Sequence, residues 1–321
     1  MLHLQARRQE TGGRMRPLRG IAYKLASVMV FIVMSSLIKA TSDHVPAGQA
    51  VFARSFFALP VIVAWLAWRR DLPAGLRTQN RVGHLWRGLA GSSSMGLGFA
   101  ALAYLPLPDV TAIGYAAPIL TVILAAMFLG EEVRAFRIFA VALGLTGVLI
   151  VVAPRLSLGG ATEASHAQAF GVMLVLGAAL LSALAQVFVR KLVQVESVSS
   201  IVFYFSLTAT LLSLTTLPFG WVIPTPGEAG LMVLTGILGG IGQVLLTTSY
   251  REANASIVAP FDYASMLFAL LIGYFVFAEV PTWTTLAGAG LVIVAGILII
   301  WREHRLGLER ARQRKAMTPQ G

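Results

Sequence analysis

The sequence predicts an all-α membrane protein, with ten transmembrane helices in a 5+5 inverted-topology repeat and both termini cytoplasmic. Three observations predict it: how apolar the chain is, where its positive charge falls, and a glutamate-ended phrase that occurs twice. Of 321 residues, 57% are hydrophobic and only 12% charged, and the mean hydropathy is +0.77. A soluble domain carries about 25% charged residues. One aqueous core cannot hide this much apolar surface, so the bilayer is the expected solvent.

A helix crossing a ~30 Å hydrocarbon core needs about 20 mostly apolar residues. The first such run follows the basic stretch "MLHLQARRQETGGRMRPLRG". It is longer than the roughly 7–15 apolar residues of a secretory signal and is followed at once by another, so it reads as the first span. The spans then read 20–40, 48–68, 84–104, 109–129, 134–153, 168–189, 198–218, 229–249, 256–277 and 282–301. Residues 1–19 and 302–321 are basic tails, and 154–167 is an extracytoplasmic loop joining residues 20–153 to residues 168–301. With the N-terminus in the cytoplasm, the 25 lysines and arginines all fall in cytoplasmic segments or helix ends except Lys39, Arg54 and Arg155. Positive charge is retained on the cytoplasmic side. An odd number of spans would force the two basic tails apart.

The same distribution accounts for the net charge of +11 without nucleic acid. The basic tail "WREHRLGLERARQRKAM" suits anionic lipid headgroups. No cysteine is present, which rules out disulfides, thiolate metal sites and a cysteine nucleophile. His3, His44, His84, His166 and His304 are too scattered to form a ligand pair, so neither metal nor cofactor is expected. The string "GLGFAA" (96–101) lies inside a span with no strand before it, which removes the dinucleotide-loop reading. In "GILGGIG", Gly236 and Gly240 put small residues on one helix face, as close helix packing requires. No Walker-type loop occurs. A membrane-embedded lipid-modifying enzyme is the competing class, but it needs clustered carboxylates or histidines. The only adjacent acidic pair here is Glu131–Glu132, in a loop.

The repeated phrase appears when "VTAIGYAAPILTVILAAMFLGE" (110–131) is laid over "IVAPFDYASMLFALLIGYFVFAE" (257–279), bringing Glu131 onto Glu279 at an offset of 148. Farther on, "LTGVLIVV" (145–152) meets "VAGILIIW" (294–301). Five spans is an odd number, so the second copy must enter the membrane upside down. That explains why Arg134 and Arg137 follow only the first glutamate. Each glutamate has two readings: a carboxylate offsetting the positive end of the next helix dipole, or a gating or proton group.

These spans, the paired "FLGE" and "VFAE" endings and "ALAYLPLPDVTAIGYAAPILTVILAAMFLGE" (101–131) resemble the EamA-type branch of the drug/metabolite transporter superfamily. The resemblance covers roughly residues 20–301 and implies two EamA-type repeats. It also implies a carrier that exposes a central cavity alternately to each side, lined mainly by helices 1, 3, 4, 6, 8 and 9. "AE" stands at 278–279 where the family has "GE", a change expected to matter little because alanine is also small.

Ionisable groups inside spans are default functional candidates. Asp262 is read either as a satisfied interior carboxylate or as a substrate or proton site. Arg54 snorkels outward or meets Asp43 or Asp109, or else holds substrate or gates. Lys39 reads as a snorkelling anchor. Pro118 and Pro260 each remove a backbone donor in paired helices, and such helix breaks lie near carrier cavities. Tyr115 and Tyr263 beside them offer a ring face and a hydroxyl. Gln186, Gln243, Ser92, Ser93 and Ser94 add polar groups on the cavity helices, as ligand contacts or as interhelical hydrogen bonds. The expected partners are therefore a small-molecule substrate and the lipid bilayer of a bacterial inner membrane, and the chain is compatible with a homodimer. Within the family, "YLPLPDVTAIGYAAP" and the basic N-terminal tail are most similar to bacterial members assigned to riboflavin uptake, and next to those assigned to S-adenosylmethionine uptake.

Overall fold

The computed structural model describes residues 17–70, 72–129, 135–155, 163–192, 195–252, 261–262, 264–295, 297–298 and 301. Among these residues the regular structure is helical throughout. The first half contributes α1 (Pro17–Thr41), α2 (Ala47–Phe56), α3 (Ala58–Trp68), α4 (Arg81–Ala101), α5 (Leu107–Gly114), α6 (Ala116–Leu129) and α7 (Ala135–Val152). The second contributes α8 (Glu163–Leu192), α9 (Val198–Leu214), α10 (Pro226–Glu252), α11 (Ala264–Phe277) and α12 (Trp283–Ala295). The stretches Leu18–Thr41, Ala47–Trp68, His166–Val189 and Pro226–Ser249 are long and apolar enough to cross a membrane.

Two of the apolar runs are broken helices, and proline explains both breaks. Pro60 follows the α2/α3 junction at Phe57 by three residues, and Pro118 follows the α5/α6 junction at Tyr115 by three. A proline has no N–H for the carbonyl four residues earlier, so the ladder fails one turn before it. Helix starts are marked by side chains. The Asn80 carbonyl oxygen accepts from the Gly83 amide at 2.8 Å to start α4, and Ser197 Oγ accepts from the Ser200 amide at 3.1 Å to start α9.

Packing follows the small residues. A Cβ on Gly236 would lie 2.7 Å from the Ala53 carbonyl, and one on Gly240 would lie 3.2 Å from that of Ala58. The glycine face of α10 therefore presses its backbone onto α2 and α3 across their break. One apolar core gathers Ile113, Ile119, Val151, Val172, Val175 and Val292. Another gathers Ile32, Ile38, Val51, Phe99, Leu107 and Ala269. α1 is thus held against α2, α4, α5 and α11.

Polar contacts sort the loops into two ends. At the Lys39 end, Gln49 Nε2 donates to the Val222 carbonyl while the Val222 amide donates to Gln49 Oε1, at 2.9 and 3.0 Å. His44 Nδ1 meets Glu228 there at 3.0 Å, and Tyr104 packs edge-on against Phe170 near the start of α8. At the Lys24 end, Glu196 accepts from the amides of Gln79 and Asn80 and from the Thr78 hydroxyl, at 2.6–2.8 Å. The Tyr204 hydroxyl donates to the Leu76 carbonyl at the same end.

Candidate functional site

α1 carries two lysines about 22 Å apart along its axis, at about 1.5 Å per residue. Each is paired with a carboxylate from the second half of the chain. Lys24, 2% exposed, meets Asp262 Oδ1 at 2.7 Å just before α11, and the Asp262 side chain is half exposed. Lys39 meets Glu279 Oε1 at 3.0 Å just beyond α11. Lys39 also donates to the carbonyls of Leu102 and Leu105, and it sits over the Phe277 ring at 5.6 Å. Lys39 was expected to snorkel; instead it turns inward, because these acceptors and a carboxylate replace water around the ammonium. Glu279 meets a helix start as well. Its second oxygen accepts from the Leu107 amide at 3.0 Å, so it serves the start of α5.

The residue before Glu279 corrects a second expectation. Ala278 has φ of 53°, and the Glu279 amide donates to the Gly273 carbonyl at 2.9 Å. This is the left-handed helix terminus in which glycine is at ease and alanine is not. The change from "GE" to "AE" therefore carries strain, whatever the side chain's size.

Between the two charge pairs, the Tyr115 hydroxyl and Ser265 Oγ lie 2.7 Å apart, joining the α5/α6 break to α11. Asp109, 2% exposed, accepts from the Thr285 hydroxyl at 2.6 Å. Ser94 donates to the Ala178 carbonyl at 2.7 Å, an interhelical bond from α4 to α8. Gln186 is exposed and Gln243 half-buried, and neither makes a side-chain hydrogen bond among the described residues. Pro118 is the third residue of α6. Tyr263, Pro260 and Glu131 lie outside the described residues.

A second polar region lies among α2, α4 and α9. A cavity of about 210 Å³ is lined by Gly48, Val51, Ser92, Ser93, Ser213 and Thr216, among others. One turn from Val51 on α2, Arg54 is 5% exposed, with its guanidinium carbon 5.5 Å from the Phe205 ring centre. The Arg87 guanidinium stacks on the same ring at 3.6 Å. Arg54 meets neither Asp43 nor Asp109, and no salt bridge to Arg54 or Arg87 exists among the described residues. Ser92 and Ser93 were legible as cavity-helix polar groups. The roles of Arg87 and Phe205 were not, because Arg87 reads as part of a basic helix end and Phe205 as one aromatic in an apolar run.

A model of the EamA-like transporter family matches residues 18–153 and again residues 169–301. The chain is 30% identical to the pseudopaline exporter CntI of Pseudomonas aeruginosa strain UCBPP-PA14, over 87% of this chain and 95% of that one. It is 26% identical to the S-adenosylmethionine uptake transporter of Rickettsia bellii, over 89% and 94% of the two chains. To solute carrier family 35 member G1 of Mus musculus it is 30% identical, over 86% and 76%. A solved crystal structure shares the fold, with a TM-score of 0.63 at 19% identity, covering 89% of this chain and 98% of the other. Matched in both halves by one family model, this multi-pass membrane protein belongs to the EamA-like transporter family.

Proposed function

We propose that the protein is a secondary transporter that moves a small organic metabolite across a bacterial inner membrane by alternating access. The observation that carries this reading is the pair of ion pairs, Lys24–Asp262 and Lys39–Glu279, at opposite ends of the α1–α11 contact. A carrier needs a closure at each face that can part while the other holds. Ten spans would follow if α2 with α3 and α5 with α6 each cross once. The repeats would then be inverted, since α1 starts at the Lys24 end while Phe170, near the start of α8, lies by Tyr104 at the Lys39 end. Both termini would face the cytoplasm. Tyr115, Tyr263, Asp262, Gln186, Gln243 and Ser94 are the proposed solute contacts. Glu131, Glu279 and Arg54 are the proposed gating or charge groups, with helix breaks at Pro118 and Pro260. Riboflavin gives way to a solute of the S-adenosylmethionine or amino-acid kind, since the bacterial relatives above are named for pseudopaline and S-adenosylmethionine.

Proteoliposomes are given a uniformly ¹³C-labelled bacterial metabolite extract, and the accumulated solutes are read by mass spectrometry. Wild type should enrich at least one solute over protein-free liposomes. Lys39→Ala and Glu279→Ala should each lower that enrichment, and the charge swap Lys39→Glu/Glu279→Lys should recover part of it. Enrichment by none would remove the transport reading, and newly modified lipid in the vesicles would turn it to the enzyme class.

A further inference from the structure

Arg54 and Arg87 converge on one phenylalanine. Their guanidinium carbons lie within 5.5 and 3.6 Å of the Phe205 ring centre, so they are at most about 9 Å apart, the sum of the two distances. Two cations of this kind repel each other. They stay buried only where something compensates them. Phe205 supplies its ring face, but the nitrogens remain unanswered. Arg54 Nε and the Nε and Nη1 of Arg87 are buried without a hydrogen-bond partner, as are the neighbouring hydroxyls of Ser55 and Ser92.

The described carboxylates closest in kind are occupied elsewhere. Glu196 is held by the 78–80 turn, Asp109 by Thr285, Asp262 by Lys24 and Glu279 by Lys39. A cavity lies farther along the same three helices. Val51 lines it one turn from Arg54 on α2, and Ser92 lines it just over one turn from Arg87 on α4. A stacked guanidinium keeps its N–H edge free, and that edge matches the two oxygens of a carboxylate or phosphate. Glycine makes the room: a Cβ on Gly91 would lie 2.7 Å from Arg87 Nη1, and one on Gly239 would lie 3.2 Å from Arg54 Nε.

Resting on the transport reading, we propose that Arg54 and Arg87, with Ser92, form an oxyanion site, and that the transported solute carries the carboxylate or phosphate they hold. A lipid headgroup would present the same chemistry. Arg54 lies about 10 Å in from the start of α2, however, and is closed over by Met34, Phe205 and α10. A soluble anion fits that position better.

The test compares wild type with Arg54→Gln, Arg87→Gln and Arg87→Lys in proteoliposomes given the labelled extract. The solutes that wild type enriches should bear a carboxylate or phosphate. Each Gln variant should lower their enrichment at least tenfold, and Arg87→Lys should fall between. In phosphatidylcholine nanodiscs the Gln variants should melt no lower than wild type, because they remove an uncompensated charge. Enriched solutes without an oxyanion, or Gln variants that transport like wild type, overturn the proposal and leave the transport reading standing. Gln variants that melt several degrees lower overturn it as well, by marking the arginines as structural. If wild type enriches nothing, the transport reading fails separately. The site is then judged by whether millimolar succinate or phosphate raises the melting temperature of wild type but not of the Gln variants. A shift produced only by phosphatidylglycerol in the disc assigns the site to lipid and overturns the solute proposal.

Discussion

At the scale of single residues, Ala278 shows how a small substitution acquires meaning only through backbone geometry. With φ of 53°, it occupies the left-handed position that ends α11. A non-glycine residue there is disfavoured by about 1–2 kcal/mol, partly offset by the greater freedom that glycine loses on folding. Ala278→Gly should therefore stabilise the protein by roughly 0.5–1 kcal/mol, read as a rise in melting temperature in nanodiscs. An unchanged or lower melting temperature would show that the terminus is relaxed as it stands. The same turn places Glu279 between Lys39 and the Leu107 amide, so the variant also reports whether that placement survives a more pliable hinge. The sequence displayed "AE" openly, but the torsion that makes alanine costly is a property of how the helix stops.

At the scale of elements, the joint between α4 and α9 depends on one carboxylate. Glu196, whose side chain is 2% exposed, lies in the turn before α9 and accepts from Thr78, Gln79 and Asn80 before α4, with His84 Nε2 at 3.7 Å. Burial pushes its carboxyl up, but the Asn80 amide, the Thr78 hydroxyl, the Gln79 amide and the charge of His84 together hold it below its usual range. A depressed folded-state value means that this joint stabilises the protein fully above the ordinary carboxylate range. The contribution fades as pH falls toward the folded-state value. The melting temperature of wild type should drop through that acid window, and Glu196→Gln should show a flatter acid limb from a lower starting point. Parallel limbs would sink the assignment. The elements themselves were legible because each signal is local: apolar length and the Gly236/Gly240 spacing each lie within one helix. The pairings were not. Gly147 and Gly288 meet backbone to backbone, a Cβ on either lying 2.7 or 2.5 Å from the other's carbonyl, and nothing in either helix names its partner. Arg54, Phe205 and Arg87 come from three helices and read separately as a lone charge within a span, an apolar residue and a helix end. Lys39 and Glu279 stand most of the chain apart.

At the scale of the whole molecule, the two sets of end contacts make the inverted repeat a question with a yes-or-no answer. His44, Glu228, Gln49 and Val222 share one end, and Gln79, Asn80 and Glu196 share the other. If charge retention orients the chain as its arginines suggest, the first end faces outward. Single cysteines can be placed on a background that has none. Ser42→Cys and Thr225→Cys, one in each half, should react in intact cells with a membrane-impermeant maleimide. Gln79→Cys and Val195→Cys, again one in each half, should react only after the cells are opened. The pairing is the informative part. Ser42 follows the first helix of its half, whereas Thr225 precedes the third helix of the other half. Both can lie outside only if the second half runs through the membrane in the opposite sense. Labelling of one residue from each pair in intact cells would leave two parallel halves and remove the two-ended closure on which alternating access rests. Labelling of Gln79→Cys and Val195→Cys alone would keep the inversion and turn the whole molecule over, contradicting the charge rule but not the repeat.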